Sequence, residues 1–154
     1  MKKKLVTTAK LTSEEKKTLL RSNGLKVTPA RLEVLAVLEK AREPMTIDDI
    51  CGWLKDQTIN AATVYRTVKS LNDEGVVKQI DFRHGHGHYE LVADNDHHHI
   101  ICVSCGKVED FEGCFVEKIV QTVLKETKGF AQVTDHALEL FGLCKVCAKK
   151  SIKK

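Results

Sequence analysis

The sequence predicts an α+β protein in which an N-terminal winged helix-turn-helix domain precedes a smaller α/β domain with a metal site. Two observations predict this division. Capped, amphipathic helical segments fill the first 75 residues and lead into a β-hairpin pattern, whereas the chain after residue 96 alternates like strands and carries two Cys-x-x-Cys pairs. The 154 residues are 42% hydrophobic, which is enough for one core or for two small ones.

Two helices are predicted before residue 42. In residues 11–24, Thr12 and Glu15 form a capping-box pattern and Gly24 ends the helix. In the next segment Thr28 is the predicted N-cap and Pro29 occupies the first helical position, where proline is favoured. The inward face of this second helix is predicted to consist of Leu32, Val34, Leu35 and Leu38.

Two further helices follow the same logic. Thr46 with Asp49 caps the third, and Asn60 caps the fourth, which ends at Gly75. The third helix is predicted to face inward with Ile47, Ile50, Trp53 and Leu54. The fourth is predicted to bury Val64, Val68 and Leu71 and to present Thr63, Arg66 and Lys69 on the opposite stripe.

Residues 76–82 and 87–92 are predicted to form a hairpin around the glycine-containing turn 83–87. Helices followed by such a hairpin are the layout of a winged helix-turn-helix, whose last helix enters the DNA major groove. Charge agrees with this interpretation. Residues 1–80 contain 15 Lys and Arg against 10 Asp and Glu, whereas residues 81–154 contain 10 against 11. The excess favours a polyanionic partner, although solvated surface charge is the alternative.

The second half is predicted to contain paired strands at 98–105 and 107–112, a helix at 114–129 and a strand at 136–144. The helix is predicted to face inward with Phe115, Ile119, Val123 and Leu124. The resulting domain boundaries are 1–92 and 97–154, with a hinge at about 90–96.

The two Cys-x-x-Cys pairs predict a zinc site. They are Cys102 with Cys105 and Cys144 with Cys147, and together they supply four thiolates for a tetrahedral shell. A coincidence or a redox dithiol is the alternative, but a redox motif needs only one pair. A shell of four thiolates has no open position, so the predicted role is structural. The sequence shows neither a signal-peptide pattern nor an apolar run of membrane-spanning length, which predicts a cytoplasmic protein with reduced thiols and no membrane partner.

Six of the seven histidines lie between residues 84 and 99. Alternate side chains of a strand share a face, so His97 and His99 are predicted to point to one side and His98 to the other. Glu90 and Asp110 are oxygen donors that could join the first pair. A second site is predicted from His98, Glu117 and His136, with Asp96 nearby. Mixed imidazole and carboxylate ligands suit Fe(II), Mn(II), Zn(II), Co(II) or Ni(II).

A further histidine tract alternates with glycine at the predicted wing. Its members, His84, His86 and His88, could add ligands to the regulatory site, contact phosphates or have no role. Cys51 and Cys114 lack a partner at ligand spacing, and no role is assigned to them.

These features together resemble the ferric uptake regulator (Fur) superfamily of dimeric, metal-responsive transcriptional repressors. The resemblance rests on the segments "GLKVTPARLEVL", "AATVYRTVKSLNDEGVV", "HYEL", "HHHIICVSCGKVEDFE" and "HALELFGLCKVC". It implies that the C-terminal domain is a dimerisation domain and that the four paired cysteines are its structural zinc site. It also implies a regulatory metal site at Glu90, His97, His99 and Asp110, and an additional site at His98, Glu117 and His136.

The same resemblance identifies Tyr65 and Arg66 as DNA-contacting residues of the recognition helix. The predicted set of DNA-contacting residues is Lys26, Arg31, Thr63, Tyr65, Arg66 and Lys69. Two departures from the family pattern stand out. Many relatives carry a regulatory-site histidine where this chain has Pro44 or Met45, so the wing histidines are candidates to replace that ligand. Peroxide-sensing relatives tend to carry Asp at the position of Asp110, whereas iron and zinc sensors often carry Glu.

Together with this resemblance, the sequence predicts a homodimeric repressor that needs a structural zinc and a regulatory Fe(II), Mn(II), Zn(II) or Ni(II), and that binds a palindromic, A·T-rich double-stranded DNA operator. A peroxide sensor with iron at the regulatory site is the alternative within the same fold. Two rivals come from other classes: a metalloenzyme with Glu90 or Asp110 as a base, and a metal-buffering protein without DNA binding.

Overall fold

A computed structural model describes residues 11–41, 43–56, 58–83, 85–92, 97–112 and 116–151. The chain divides into two compact units, Met1–Asp94 and Asn95–Lys154. The first is mainly helical with a β-hairpin, and the second is built on a three-stranded sheet, so the predicted α+β class is confirmed. Among the described residues, no helix is long and apolar enough to cross a bilayer.

Four helices build the first unit: α1 (Ser13–Ser22), α2 (Pro29–Lys40), α3 (Ile47–Trp53) and α4 (Ala61–Asp73). All four predicted N-caps are confirmed. The side chains of Thr12, Thr28, Thr46 and Asn60 each accept a hydrogen bond from the backbone N–H three residues further on. Each cap satisfies a donor that the helix leaves unpaired, which fixes where the helix begins.

The helices enclose the core of the first unit. Val64, Val68 and Leu71 of α4 are fully buried, as the apolar stripe predicted. They pack with other fully buried side chains, namely Leu20, Val34, Leu35 and Ile50. Burial of one stripe of α4 leaves the opposite stripe toward solvent.

A two-stranded hairpin completes the first unit. β1 (Val77–Asp81) pairs with β2 (Gly87–Leu91) in antiparallel register. The outer edge of β2 is bridged to Met45, whose backbone N–H donates to Tyr89 O at 2.9 Å while Tyr89 N–H donates to Met45 O at 2.8 Å. This bridge holds the residues just before α3 beside the second strand of the wing.

The inward placement of Trp53 is a wrong prediction. Its side chain is 51% exposed, and Lys40 Nζ lies 5.3 Å from the ring centroid. Helix α3 ends at Trp53, and Leu54 leaves the helical conformation and turns into the core instead. Leu54, rather than Trp53, therefore occupies the core at the end of α3, and the indole stays at the surface.

The second unit consists of β3 (His98–Cys102), β4 (Val108–Phe111), α5 (Val116–Glu126), β5 (Glu139–Gly142) and α6 (Lys145–Ser151). In the sheet, β3 is central, pairing antiparallel with β4 and parallel with β5. The short helix α6 was not predicted, because seven residues after a cysteine pair carry too little periodic pattern.

The predicted inward face of α5 is also wrong for the isolated chain. Ile119 is 57% exposed and Val123 is 42% exposed, and none of the described residues of α5 is buried. Leu124 is half-buried, and Phe115 lies outside the described residues. The apolar stripe exists, but the second unit does not cover it.

Candidate metal centres and nucleic-acid interface

The four paired cysteines lie at the ends of two neighbouring strands. β3 ends at Cys102, and a tight turn leads to Cys105. β5 ends at Gly142, which is opposite Cys102 in the parallel register, and Cys144 and Cys147 follow. The parallel pairing therefore brings both Cys-x-x-Cys pairs to the same edge of the sheet.

A left-handed glycine closes the first pair. Gly106 has φ +72°, and its N–H donates to Cys102 O at 2.8 Å, while Cys102 N–H donates to Lys107 O at 2.8 Å. The second pair is attached to the first through the backbone, because Cys144 N–H donates to Cys102 Sγ at 3.3 Å. Backbone bonds thus fix the positions of the thiols.

The geometry fits a zinc ion. The four sulfur atoms all lie within 4.8 Å of one another, and Cys105 Sγ is 3.8 Å from Cys144 Sγ. Four sulfurs bound at about 2.3 Å in a tetrahedron stand about 3.8 Å apart. The four are free thiols rather than disulfides. The donor set and its spacing match a structural zinc site with four cysteine ligands.

The thiols influence one another's ionisation. Backbone N–H donation, chiefly from Cys144, lowers the pKa of Cys102 to about 6, and the N–H of Cys147 is the main cause that lowers the pKa of Cys144. At Cys105, the Lys107 N–H favours the thiolate, but the neighbouring thiols of Cys102 and Cys147 outweigh it and raise the pKa to about 11. A divalent cation would relieve this competition and allow all four groups to ionise.

A second cluster of ligands lies at the start of β3 and on β4. The rings of His97 and His99 have centroids 5.1 Å apart, and His99 Nε2 lies 3.5 Å from Asp110 Oδ1. His99 and Asp110 are directly opposite in the β3–β4 register, and His99 is only 2% exposed. Two imidazoles bound at about 2.1 Å to one cation place their ring centroids about 5 Å apart, so the pair suits a shared metal.

His98 belongs to a different group. Its ring centroid lies 5.3 Å from that of His136 and 5.5 Å from that of Phe111. Glu117 is exposed on α5, and among the residues that the structure describes it does not join these histidines as a third ligand at binding distance. Asp96 lies outside the described residues. The structure therefore assembles two of the predicted donors.

Glu90 lies on β2 of the first unit, where its carboxylate is 2.8 Å from Lys78 Nζ. Of the wing histidines, His88 is on the same strand and His86 directly precedes it. His86 and His88 have ring centroids 5.0 Å apart, and His88 packs on Phe82 at 4.4 Å. His84 lies outside the described residues.

The outer stripe of α4 carries the residues predicted to contact DNA. Tyr65 is 55% exposed, and Arg66 and Lys69 are exposed. Thr63 is half-buried, and its backbone N–H donates to the Asn60 cap at 2.9 Å. This stripe offers an aromatic ring and two cations on one helix face, a combination suited to base edges and phosphates.

Arg31 of α2 is hydrogen-bonded to α4. Its guanidinium donates to Lys26 O at 2.6 Å and to Ser70 Oγ at 3.1 Å. It thereby ties the start of α2 to α4, while Lys26 itself is exposed. The role of Ser70 was missed in the sequence, because no local signal links residues 39 positions apart.

Cys51, one of the two unassigned cysteines, lies outside these sites. Cys51 is half-buried at the margin of the first core, and burial raises the pKa of its thiol. Cys114 lies outside the described residues.

The sequence model of the ferric uptake regulator family matches residues 22–141. The chain is 35% identical over 134 residues to the ferric uptake regulation protein of Neisseria gonorrhoeae, covering 85% of this chain and 92% of the relative. It is 32% identical over 133 residues to the peroxide operon regulator of Bacillus subtilis, covering 85% and 90%. A zinc uptake regulator solved in complex with zinc and DNA has a TM-score of 0.64 and 25% identity, with 93% of this chain and 99% of that chain covered.

Proposed function

The chain belongs to the ferric uptake regulator family, and from this premise we propose that it is a homodimeric, metal-dependent repressor that binds a specific DNA operator. The observation that carries the proposal is the presence in one chain of a four-cysteine cluster with zinc spacing and a separate helix whose exposed stripe suits DNA. The family's regulators act on transcription, and we propose that the protein is not an enzyme and works in the cytoplasm.

We propose that α4 enters the major groove. Tyr65 and Arg66 read base edges, and Lys69 and Lys26 bind phosphates. Arg31 holds α4 against α2 and can share its remaining N–H groups with a phosphate. Thr63 lies near the helix N-terminus, where the backbone also favours an anion. A homodimer presents two such helices, so the operator is a palindrome, which we propose to be A·T-rich.

We propose that the regulatory metal binds His97, His99 and Asp110 together with Glu90, which precedes His97 by seven residues. Support comes from the spacing of the two imidazoles and from the Asp110 carboxylate beside His99. Two nitrogen and two oxygen donors suit Fe(II), Mn(II), Zn(II) or Ni(II). Because Glu90 and the histidines belong to different units, metal binding and the DNA-competent arrangement are thermodynamically linked.

We propose a further metal site at His98 and His136, with Glu117 as the third ligand. The support is the 5.3 Å separation of the two rings. Binding there requires the exposed Glu117 side chain to turn toward the histidines, so this site is expected to be the weaker of the two.

A second candidate function is peroxide sensing, and Asp110 beside His99 favours it because peroxide-sensing relatives tend to carry Asp at this position. The relatives include regulators of both kinds at similar identity. Treatment of the Fe(II)-loaded protein with hydrogen peroxide, with the Mn(II)-loaded protein as control, separates the two functions. After peroxide treatment of the iron form, a peroxide sensor stays unable to bind the operator when fresh Mn(II) is added, whereas a metal sensor regains binding. The Mn(II)-loaded control keeps operator binding in both cases.

The deciding experiment is a gel shift of one palindromic, A·T-rich operator with zinc-loaded protein, without and with added Mn(II). We expect a shift only when Mn(II) is added, and we expect the H97Q/H99Q variant to retain its zinc and give no shift. A metal-buffering protein or a metalloenzyme would give no shift in any sample. Metal-activated binding that survives H97Q/H99Q would overturn the proposed regulatory site and direct attention to His98 and His136.

A further inference from the structure

The wing carries a pair of histidines that the proposed function does not use. We propose that His86 and His88 form, with the carboxylate of Asp49, a separate divalent-cation site inside the first unit. Such a cation would tie the wing to the N-terminal turn of α3. This goes beyond the proposed function, because it places a metal within the DNA-binding unit itself.

The strand pairing places these residues side by side. Met45 is bridged to Tyr89 in the antiparallel direction, so the chain after Met45 runs past the residues before Tyr89. Residue 47, where α3 begins, is therefore level with Gly87. Asp49 turns back onto Thr46 through the capping box, which keeps its carboxylate at this end of the helix. The first turn of α3 therefore follows the bridged residue toward the end of β2 that carries His86 and His88. The donor atoms of Asp49 and the two histidines do not all lie within 4.8 Å of one another, so the side chains must turn to share a cation.

The histidine pair has the spacing of a chelate. The ring centroids of His86 and His88 are 5.0 Å apart, close to the roughly 5 Å expected for two imidazoles on one cation at about 2.1 Å. His88 is half-buried and packs on Phe82, with ring centroids 4.4 Å apart. This contact orients one ligand in advance, whereas His86 is exposed and turns to complete the shell.

Asp49 supplies an oxygen donor of the required charge. Both hydrogen bonds that it accepts from Thr46 go to Oδ2, at 3.0 Å from the backbone N and 2.6 Å from Oγ1, so Oδ1 can serve a cation without loss of the cap. These bonds are the main cause that lowers the pKa of Asp49, and the charges of His88 and His86 lower it further.

Two imidazoles and one carboxylate select a borderline divalent cation such as Ni(II), Zn(II) or Co(II) over Mg(II) or Ca(II). One ligand would come from β2, one from the residue just before it, and one from the first turn of α3. A bound cation would therefore restrict the motion of the wing relative to α3.

Equilibrium dialysis of the full chain against Ni(II) tests the proposal, with zinc content and thermal unfolding measured on every sample. Three variants are compared with the unmodified protein: H86Q/H88Q, H97Q/H99Q and the combination of all four changes. We expect each pair to remove one equivalent of Ni(II) per chain and the combination to remove two, because independent sites give additive losses. The readout does not involve DNA, so it stands apart from the test of the repressor function.

The aspartate is tested with Asp49→Asn, and Asp48→Asn on the same helical turn is the matched control. Asparagine keeps an acceptor for the cap, so we expect the fold to persist and the affinity of the wing equivalent to fall at least about tenfold in Asp49→Asn only. The proposal is overturned if H86Q/H88Q binds as much Ni(II) as the unmodified protein, or if each pair of changes alone removes one equivalent and the four changes together still remove only one. Equal affinities of the two aspartate variants would also overturn it.

Discussion

At the residue scale, Arg66 is the side chain on which the proposed DNA contact depends most directly. It is exposed on the stripe of α4 opposite the buried Val64, Val68 and Leu71. We expect Arg66→Ala to weaken operator binding by about 1–3 kcal/mol per half-site, since a guanidinium contact to a base edge or phosphate is lost at each half.

Fluorescence anisotropy at one fixed salt concentration measures the effect of Arg66→Ala, because phosphate contacts make affinity depend on salt. Arg21→Ala is the matched control, since Arg21 is an exposed arginine of the same unit in the last turn of α1. Equal affinities of the two variants would place the DNA interface on another surface.

Gly106 supports the zinc site through its backbone conformation. Its φ of +72° is in the left-handed region, and a Cβ added there would meet nothing within 4 Å. We therefore expect Gly106→Ala to lose about 1–2 kcal/mol purely through backbone strain, which corresponds to roughly 5- to 30-fold weaker zinc retention.

Competition with a chelator measures the zinc affinity of the Gly106→Ala protein. Gly129→Ala is the matched control, because a Cβ there is equally unobstructed and φ does not lie in the left-handed region. Gly106→Asn should recover part of the loss, since asparagine tolerates this conformation. Equal zinc affinity of the two alanine variants would contradict the expectation.

At the scale of elements, α5 carries an apolar stripe that its own unit leaves exposed, with Ile119 and Val123 one turn apart. In a homodimer the second copy is the natural cover for this stripe. We expect Ile119→Asp to shift the protein from dimer to monomer, because a carboxylate buried in an apolar interface lacks compensating partners. Sedimentation velocity distinguishes the two states, and Gln121→Asp, an equal charge change at an exposed position of the same helix, should stay dimeric.

The same elements show how far local sequence signals reach. The four helix caps were predictable because each acts over three residues, and the four-cysteine cluster was predictable because its spacing encodes its chemistry. Trp53 and Ile119 were misassigned for one common reason. A periodic apolar pattern states that a face is apolar, but it does not state what that face contacts. At α3 the helix ends at Trp53 and Leu54 enters the core instead, and at α5 the unit itself leaves the stripe exposed.

At the scale of the whole molecule, the two units are separately compact, and the four-cysteine cluster lies in the second. We expect Cys144→Ser to abolish zinc retention and unfold the second unit while the first keeps its helices, since metal-binding free energy contributes directly to folding of a small domain. Limited proteolysis with far-UV circular dichroism measures this. Cys51→Ser, which changes a half-buried cysteine of the first unit, should retain zinc and both units. A dimeric, cooperatively folded Cys144→Ser protein would contradict the prediction.

The parallel pairing of β3 with β5 has a consequence for the order in which the protein matures. Cys102 and Cys144 are 42 residues apart, and closing a loop of this length on folding costs about 4 kcal/mol in chain entropy at 25 °C. Helices capped by neighbouring residues form quickly, whereas this long-range pairing is slow. During synthesis, the first unit can fold as it emerges, but the second must wait for its last two cysteines and for zinc. We expect zinc-starved cells to accumulate chains in which the first unit is folded and the second unit is unfolded.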